Sequence, residues 1–122
     1  MTVPPPAESA PGRAWEDVGG VEDQAVGTLR RVLVHGTAVA LARTESGYAA
    51  LLDVCPHAGA PLSAGAIRGE FVVCAWHGWK FECATGVCPL FPGAPSATRR
   101  DVRVDGGRVL VGSSSSSQET RR

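Results

Sequence analysis

Residues 55–57 read Cys-Pro-His and residues 74–77 read Cys-Ala-Trp-His, with sixteen residues (58–73) between them. Each segment offers one thiol and one imidazole. Each follows directly on an apolar stretch, Ala-Ala-Leu-Leu-Asp-Val at 49–54 and Phe-Val-Val at 71–73. The spacer is too short to be a domain, so the fold must bring two strand-end loops side by side. Gly59 and Gly78 lie just past the two histidines. They permit the tight turns and inward-aimed N–H groups that a loop wrapped around a metal needs.

Composition limits the alternatives. The 122 residues read as one folded domain, 14–112, between two disordered tails. Residues 1–13 hold four prolines and few large apolar groups, and residues 113–122 are five serines followed by a polar end. Neither tail can bury enough surface to offset the entropy of ordering. Twelve basic and twelve acidic side chains balance, with no basic stripe, which argues against nucleic acid. No apolar run approaches the roughly 18 residues of a membrane helix. The N-terminus lacks the pattern of a signal peptide, so the expected location is the cytoplasm. In a reducing compartment, Cys paired with His points to metal rather than to disulfides.

The expected architecture is all-β. Strands are predicted at 15–18, 28–34, 37–43, 48–54, 71–75, 79–81, 98–104 and 108–111, with one helical turn at 21–24. Turns fall at His35-Gly36, 44–47, Thr85-Gly86 and 105–107. Residues 61–69 read as irregular, and 88–95, with three prolines, as a stiff loop. In the 98–104 strand, Arg99, Asp101 and Arg103 would occupy one side and Val102 and Val104 the other.

Two metal groups suit two thiolates and two imidazoles. Zinc takes such a set tetrahedrally, although C-x-H is tighter than the usual spacing of a structural zinc module. A 2Fe–2S cluster with two Cys on one iron and two His on the other is the alternative. The sequence here resembles the Rieske family, whose signature is C-x-H, about fifteen to twenty residues, then C-x-x-H. The flanks are similar too: Cys55-Pro56-His57-Ala58-Gly59-Ala60-Pro61-Leu62, Cys74-Ala75-Trp76-His77-Gly78-Trp79, Phe81 and Thr85-Gly86. The resemblance covers residues 15–111.

The resemblance implies an antiparallel β-sandwich with a small cluster-binding subdomain at about 55–92. It implies that Cys55 and Cys74 bind one iron and His57 and His77 the other. Such a cluster is neutral when oxidised with neutral histidines, so an added electron goes to the histidine-held iron at a higher potential than in a four-cysteine cluster. Family members of quinol-oxidising complexes brace the cluster with an extra disulfide and two hydroxyl donors. The matching positions here are Ala60 and Trp76, then Trp79 and Phe81. The expected potential therefore lies toward the lower end of the Rieske range of about −150 to +300 mV. The resemblance then implies a soluble electron carrier, not itself an enzyme, between a flavin-dependent reductase and a terminal oxygenase. The small Rieske subunit of a nitrite reductase is the alternative. The chain is too short to hold an oxygenase's mononuclear-iron domain as well.

Other residues receive plainer readings. Cys83 and Cys88 are expected to be small buried thiols beside the Thr85-Gly86 turn. His35 reads as a solvated turn residue. Trp76 and Trp79 are expected to pack against the loop base. The prolines at 89–95 resemble the lid over the cluster in this family, and Ala58, Pro61, Leu62 and Pro92 are expected to form an apolar docking rim.

Overall fold

A computed structural model describes residues 15–56, 59–76, 78–90 and 93–112. The proposed tails, His57, His77, Ala58 and Pro92 lie outside the described residues.

Among the described residues ten strands form three antiparallel sheets. In chain order they are β1 (Trp15–Gly20), β2 (Thr28–Val34), β3 (Thr37–Thr44), β4 (Gly47–Leu52), β5 (Ala66–Arg68), β6 (Phe71–Val73), β7 (Lys80–Glu82), β8 (Arg99–Arg100), β9 (Val102–Asp105) and β10 (Arg108–Gly112). The first sheet runs β1-β10-β9, the second β2-β3-β4-β8 and the third β5-β6-β7. Single turns of 3-10 helix stand at Val21–Asp23 and Leu62–Ala64.

The second sheet is the centre of the molecule because both of its faces are covered. Val39 and Leu41 of β3 join Val32, Val34, Ala50, Val109 and Val111 in a core shared with the first sheet. Ala40 and Ala42 point the other way and meet Leu51, Leu62, Val72 and Phe81, a second core shared with the third sheet and its loops. This is why β3 reads as a continuous apolar run rather than an alternating one. The small side chains of Ala40 and Ala42 let the third sheet approach closely. Burying a side chain as large as Phe81 or Leu51 contributes about 1.5–3 kcal/mol.

The β2–β3 hairpin has the expected register, Val34 opposite Thr37. Its turn places His35 at φ 50 and Gly36 at φ 84, the paired positive angles of a type I′ turn. His35 is exposed, with Nδ1 3.5 Å from Glu16 Oε1.

Four expectations need correction. The first strand is longer than 15–18 and passes a register shift between Asp17 and Gly19. The strand expected at 48–54 begins at Gly47 and stops at Leu52. Residues 61–69, expected to be irregular, contain the 3-10 turn and β5; with three residues, β5 is too short to show a period. The strand expected at 98–104 changes sheets: β8 pairs with β4, whereas β9 pairs with β10. At the switch Asp101 is buried and bonded to Arg99 (2.8 Å), while Val104 is exposed. A residue that changes sheets inverts the side-chain alternation on either side of it.

Candidate metal centre

Cys55 follows β4 and Cys74 follows β6, as the sequence predicts. Both are buried, and no disulfide joins any of the four cysteines. The two loops close in the same way. The Cys55 N–H donates to the Ala60 carbonyl at 2.7 Å, and the Cys74 N–H donates to the Trp79 carbonyl, also at 2.7 Å. In each case the acceptor lies five residues on. Each loop also has a left-handed glycine at the fourth position after the cysteine, Gly59 at φ 80 and Gly78 at φ 71. A side chain there would be strained, although among the described residues nothing beyond the chain neighbours stands within 4 Å of where its Cβ would lie. The same closure therefore occurs twice over six residues of sequence, with a histidine at the third position of the first segment and the fourth of the second.

One sulfur accepts from the backbone. The Trp76 N–H donates to Cys74 Sγ at 3.4 Å. Such a bond delocalises charge from a metal-bound thiolate. Among the described residues no three His, Cys, Asp or Glu side chains form a metal-sized group, since neither imidazole of the expected set is among them.

A family model described as the Rieske [2Fe-2S] domain matches residues 14–106. The chain belongs to the Rieske family. Ferredoxin CarAc of Metapseudomonas resinovorans is 34% identical over 98 residues, covering 80% of this chain and 92% of that one. Human apoptosis-inducing factor 3 is 31% identical along the whole of this chain, which spans 20% of that longer protein. Among solved structures, a chain of the complex of reduced oxygenase and oxidized ferredoxin in carbazole 1,9a-dioxygenase matches with TM-score 0.76 and 31% identity, covering 83% of this chain and 94% of that one. A putative NADH-dependent nitrite reductase small subunit from Mycobacterium tuberculosis matches with TM-score 0.75 and 26% identity, covering 82% and 95%.

The cofactor of this Rieske domain is a 2Fe–2S cluster, and the described residues fit it. Two buried thiols without a disulfide stand in loops closed in the same way, one sulfur already accepts a backbone N–H, and no described residue beyond the chain neighbours crowds either loop glycine.

The remaining residues around the loops divide. Trp79 packs as expected: it is partly buried against the second core, with its ring 6.5 Å from that of Phe81. Trp76 does not. It is 52% exposed and belongs to the outer surface. Leu62, expected on an apolar rim, is fully buried, whereas Pro61 is exposed. Leu62 is the first residue of a 3-10 turn that turns inward, and sequence alone shows no period there. Val54 and Leu90 are exposed apolar residues in the loop segments that the sequence reading did not single out. Cys83 and Cys88 are buried core thiols as expected. Burial, with a smaller contribution from the charge of Glu70, pushes the Cys83 thiol up to about 11, so it is unreactive at neutral pH.

Two supports went unnoticed in the sequence. Asp53 bonds both the N–H (2.6 Å) and the hydroxyl (2.7 Å) of Ser63, tying together the two flanks of the first loop. Gly65 lies against the exit of β6, where a Cβ would collide with the Val73 carbonyl oxygen. An acid two residues before a cysteine carries no pattern of its own; a Gly following a 3-10 turn is a signal only once the turn is known.

Proposed function

We propose that Cys55 and Cys74 hold one iron of the cluster and His57 and His77 the other, and that the protein is a one-electron carrier rather than an enzyme by itself. The observation that carries this reading is the duplicated loop: two buried cysteines, each closed by its own N–H onto the carbonyl five residues later. When bound, the cluster supplies reversible one-electron transfer at the histidine-held iron. The chain's residues exclude water from the two thiolates, donate to sulfur, and expose apolar surface at Trp76, Val54 and Leu90. Electron-transfer contacts are small and transient, and such a surface suits them.

The partners are a flavin-dependent reductase and a terminal oxygenase, in line with the resemblance to the carbazole dioxygenase ferredoxin complex. A second reading, a small subunit of a nitrite reductase, is favoured by the similar match to the mycobacterial structure. A carrier purifies alone and exchanges between partners; a subunit co-purifies with a large redox chain. With Ala60, Trp76, Trp79 and Phe81 in place of the disulfide and hydroxyl donors, the potential lies toward the low end of the Rieske range. No helix of the described residues is long and apolar enough to cross a membrane, and we place the protein in the cytoplasm.

The test is direct. The purified protein should contain two iron and two acid-labile sulfide per chain and, once reduced, give a Rieske EPR signal. Cys55→Ser and Cys74→Ser should abolish it. His57→Cys and His77→Cys should lower the potential by returning negative charge to the centre. A colourless protein that takes up zinc in place of iron and sulfide, or a potential that ignores both histidine changes, would overturn the assignment.

A further inference from the structure

Asp53 takes no part in the ligand set, yet its side chain is 1% exposed. Carboxylates are seldom enclosed to this degree unless they are paired and hydrogen-bonded. Here both oxygens are engaged. Oδ1 accepts the Ser63 N–H at 2.6 Å, Oδ2 accepts the Ser63 hydroxyl at 2.7 Å, and Arg31 Nε stands 3.6 Å from Oδ2. The backbone N–H of Asp53 donates to the Ala38 carbonyl at 3.1 Å, which fixes it to the central sheet. Asp53 and Ser63 stand on opposite sides of the 55–60 loop in sequence, so their two hydrogen bonds pull its ends together. The negative charge is enclosed two residues before Cys55, and Arg31, whose side chain is 62% exposed, offsets only part of it.

We infer that Asp53 is a positioning residue for Cys55 and that its enclosed charge lowers the electron affinity of the cluster. The inference rests on Cys55 being a cluster ligand. Two effects follow, and they separate. The hydrogen bonds to Ser63 hold the first loop closed, which slows loss of the cluster. The charge opposes an arriving electron, which holds the potential down. Enclosed sites behave with an effective dielectric nearer 20 than 4, and Arg31 offsets part of the charge. The expected effect is therefore about threefold in electron affinity, which is about 30 mV at 59 mV per tenfold for one electron.

The experiment compares cluster-loaded wild type with three variants, by redox titration, EPR and the rate of iron loss to a chelator. Asp53→Asn keeps the shape and an acceptor but removes the charge. Its potential should rise by that threefold equivalent while the Rieske EPR signal is retained. Arg31→Gln, on an exposed side chain, should move the potential in the opposite direction. Ser63→Ala keeps the charge and removes one tie, so it should release iron severalfold faster at an unmoved potential. An Asp53→Asn potential that stays put or falls, with the EPR signal intact, overturns the charge effect. Should Asp53→Asn fail to load, an Arg31→Gln potential that does not fall overturns it instead. Iron loss from Ser63→Ala at the wild-type rate overturns the positioning role. A wild-type protein without a Rieske signal would instead overturn the ligand assignment on which the inference stands.

Discussion

The 55–60 and 74–79 loops are alike in how their ends close and unlike in what holds them. Both close by a cysteine N–H onto a carbonyl five residues on, and both turn on a left-handed glycine. The second loop joins paired strands, β6 and β7, with Val73 opposite Lys80 at its base, and Trp79 packs near Phe81 beneath it. The first has no hairpin. It runs from the end of β4 into a 3-10 turn, and a carboxylate–serine clamp does the work that strand pairing does for its twin. A site that needs two equivalent sulfur donors can thus be built on one backbone turn supported in two ways. The loop geometry is common to both, and the route by which each can fail differs.

That difference can be broken most forcefully at Gly65. It belongs to the flank of the first loop but touches the strand exit that precedes Cys74, so Gly65→Ala should disturb both loops together. The collision with the Val73 carbonyl should cost about 3 kcal/mol, at the upper end of overpacking effects. Denaturant melts of the apo protein, together with iron content after expression, check it. A loss confined to the first loop, with the protein still loading iron, would mean that the two supports are independent.

The second loop has its own weak direction, which is alkali. Cys83 ends the β7 side of the support. In the folded protein its thiol keeps its proton to about 11, against an ordinary 9.0 once unfolded. Below the unfolded value both states are protonated and the stability is fully present. As pH rises between the two values the unfolded chain gives up the proton first, and stability is lost. Two pH units correspond to about 2–3 kcal/mol. Melts of wild type and Cys83→Ala at neutral and strongly alkaline pH should show a slope in the first that is flattened in the second. Equal slopes would locate alkaline sensitivity elsewhere.

The smallest effect on folding should come from Trp76. Because it is half exposed rather than packed, Trp76→Ala should change stability by within about 0.5 kcal/mol. It should weaken association with a redox partner by about 1–2 kcal/mol, the range of an interface anchor. Calorimetric binding to the partner, alongside a thermal melt, separates the two. A large loss of stability would return Trp76 to the core and make the two loops more alike than they look.

Most of the strands and hairpin turns, and the placing of the two cysteines at strand ends, were legible in the sequence for physical reasons. Turn residues such as His35-Gly36 and Gly106-Gly107 announce themselves, and a strand buried on both faces, such as β3, is a plain apolar run. Cysteines at strand ends with matched glycines are a pattern of spacing. What could not be read depended on tertiary partners. The switch of sheets at Asp101 inverts a local alternation that looked regular. Leu62 turns inward only because a 3-10 turn places it there. Trp76 and Trp79 are the same residue type three positions apart, and only the loop's path sends one out and the other in. The Asp53–Ser63 clamp joins residues ten apart with no periodicity between them.

The central sheet carries a further consequence. Alternate residues of β3 serve the two cores, Val39 and Leu41 on one side, Ala40 and Ala42 on the other. A strand shared in this way leaves the two halves of the molecule without separate free-energy accounts. Opening either one strips cover from the same ladder of hydrogen bonds, so the halves should melt as one cooperative unit. Losing the cluster should then loosen the sandwich as well as the loops. A methyl group removed from β3, far from either cysteine, would be felt in how long iron stays bound.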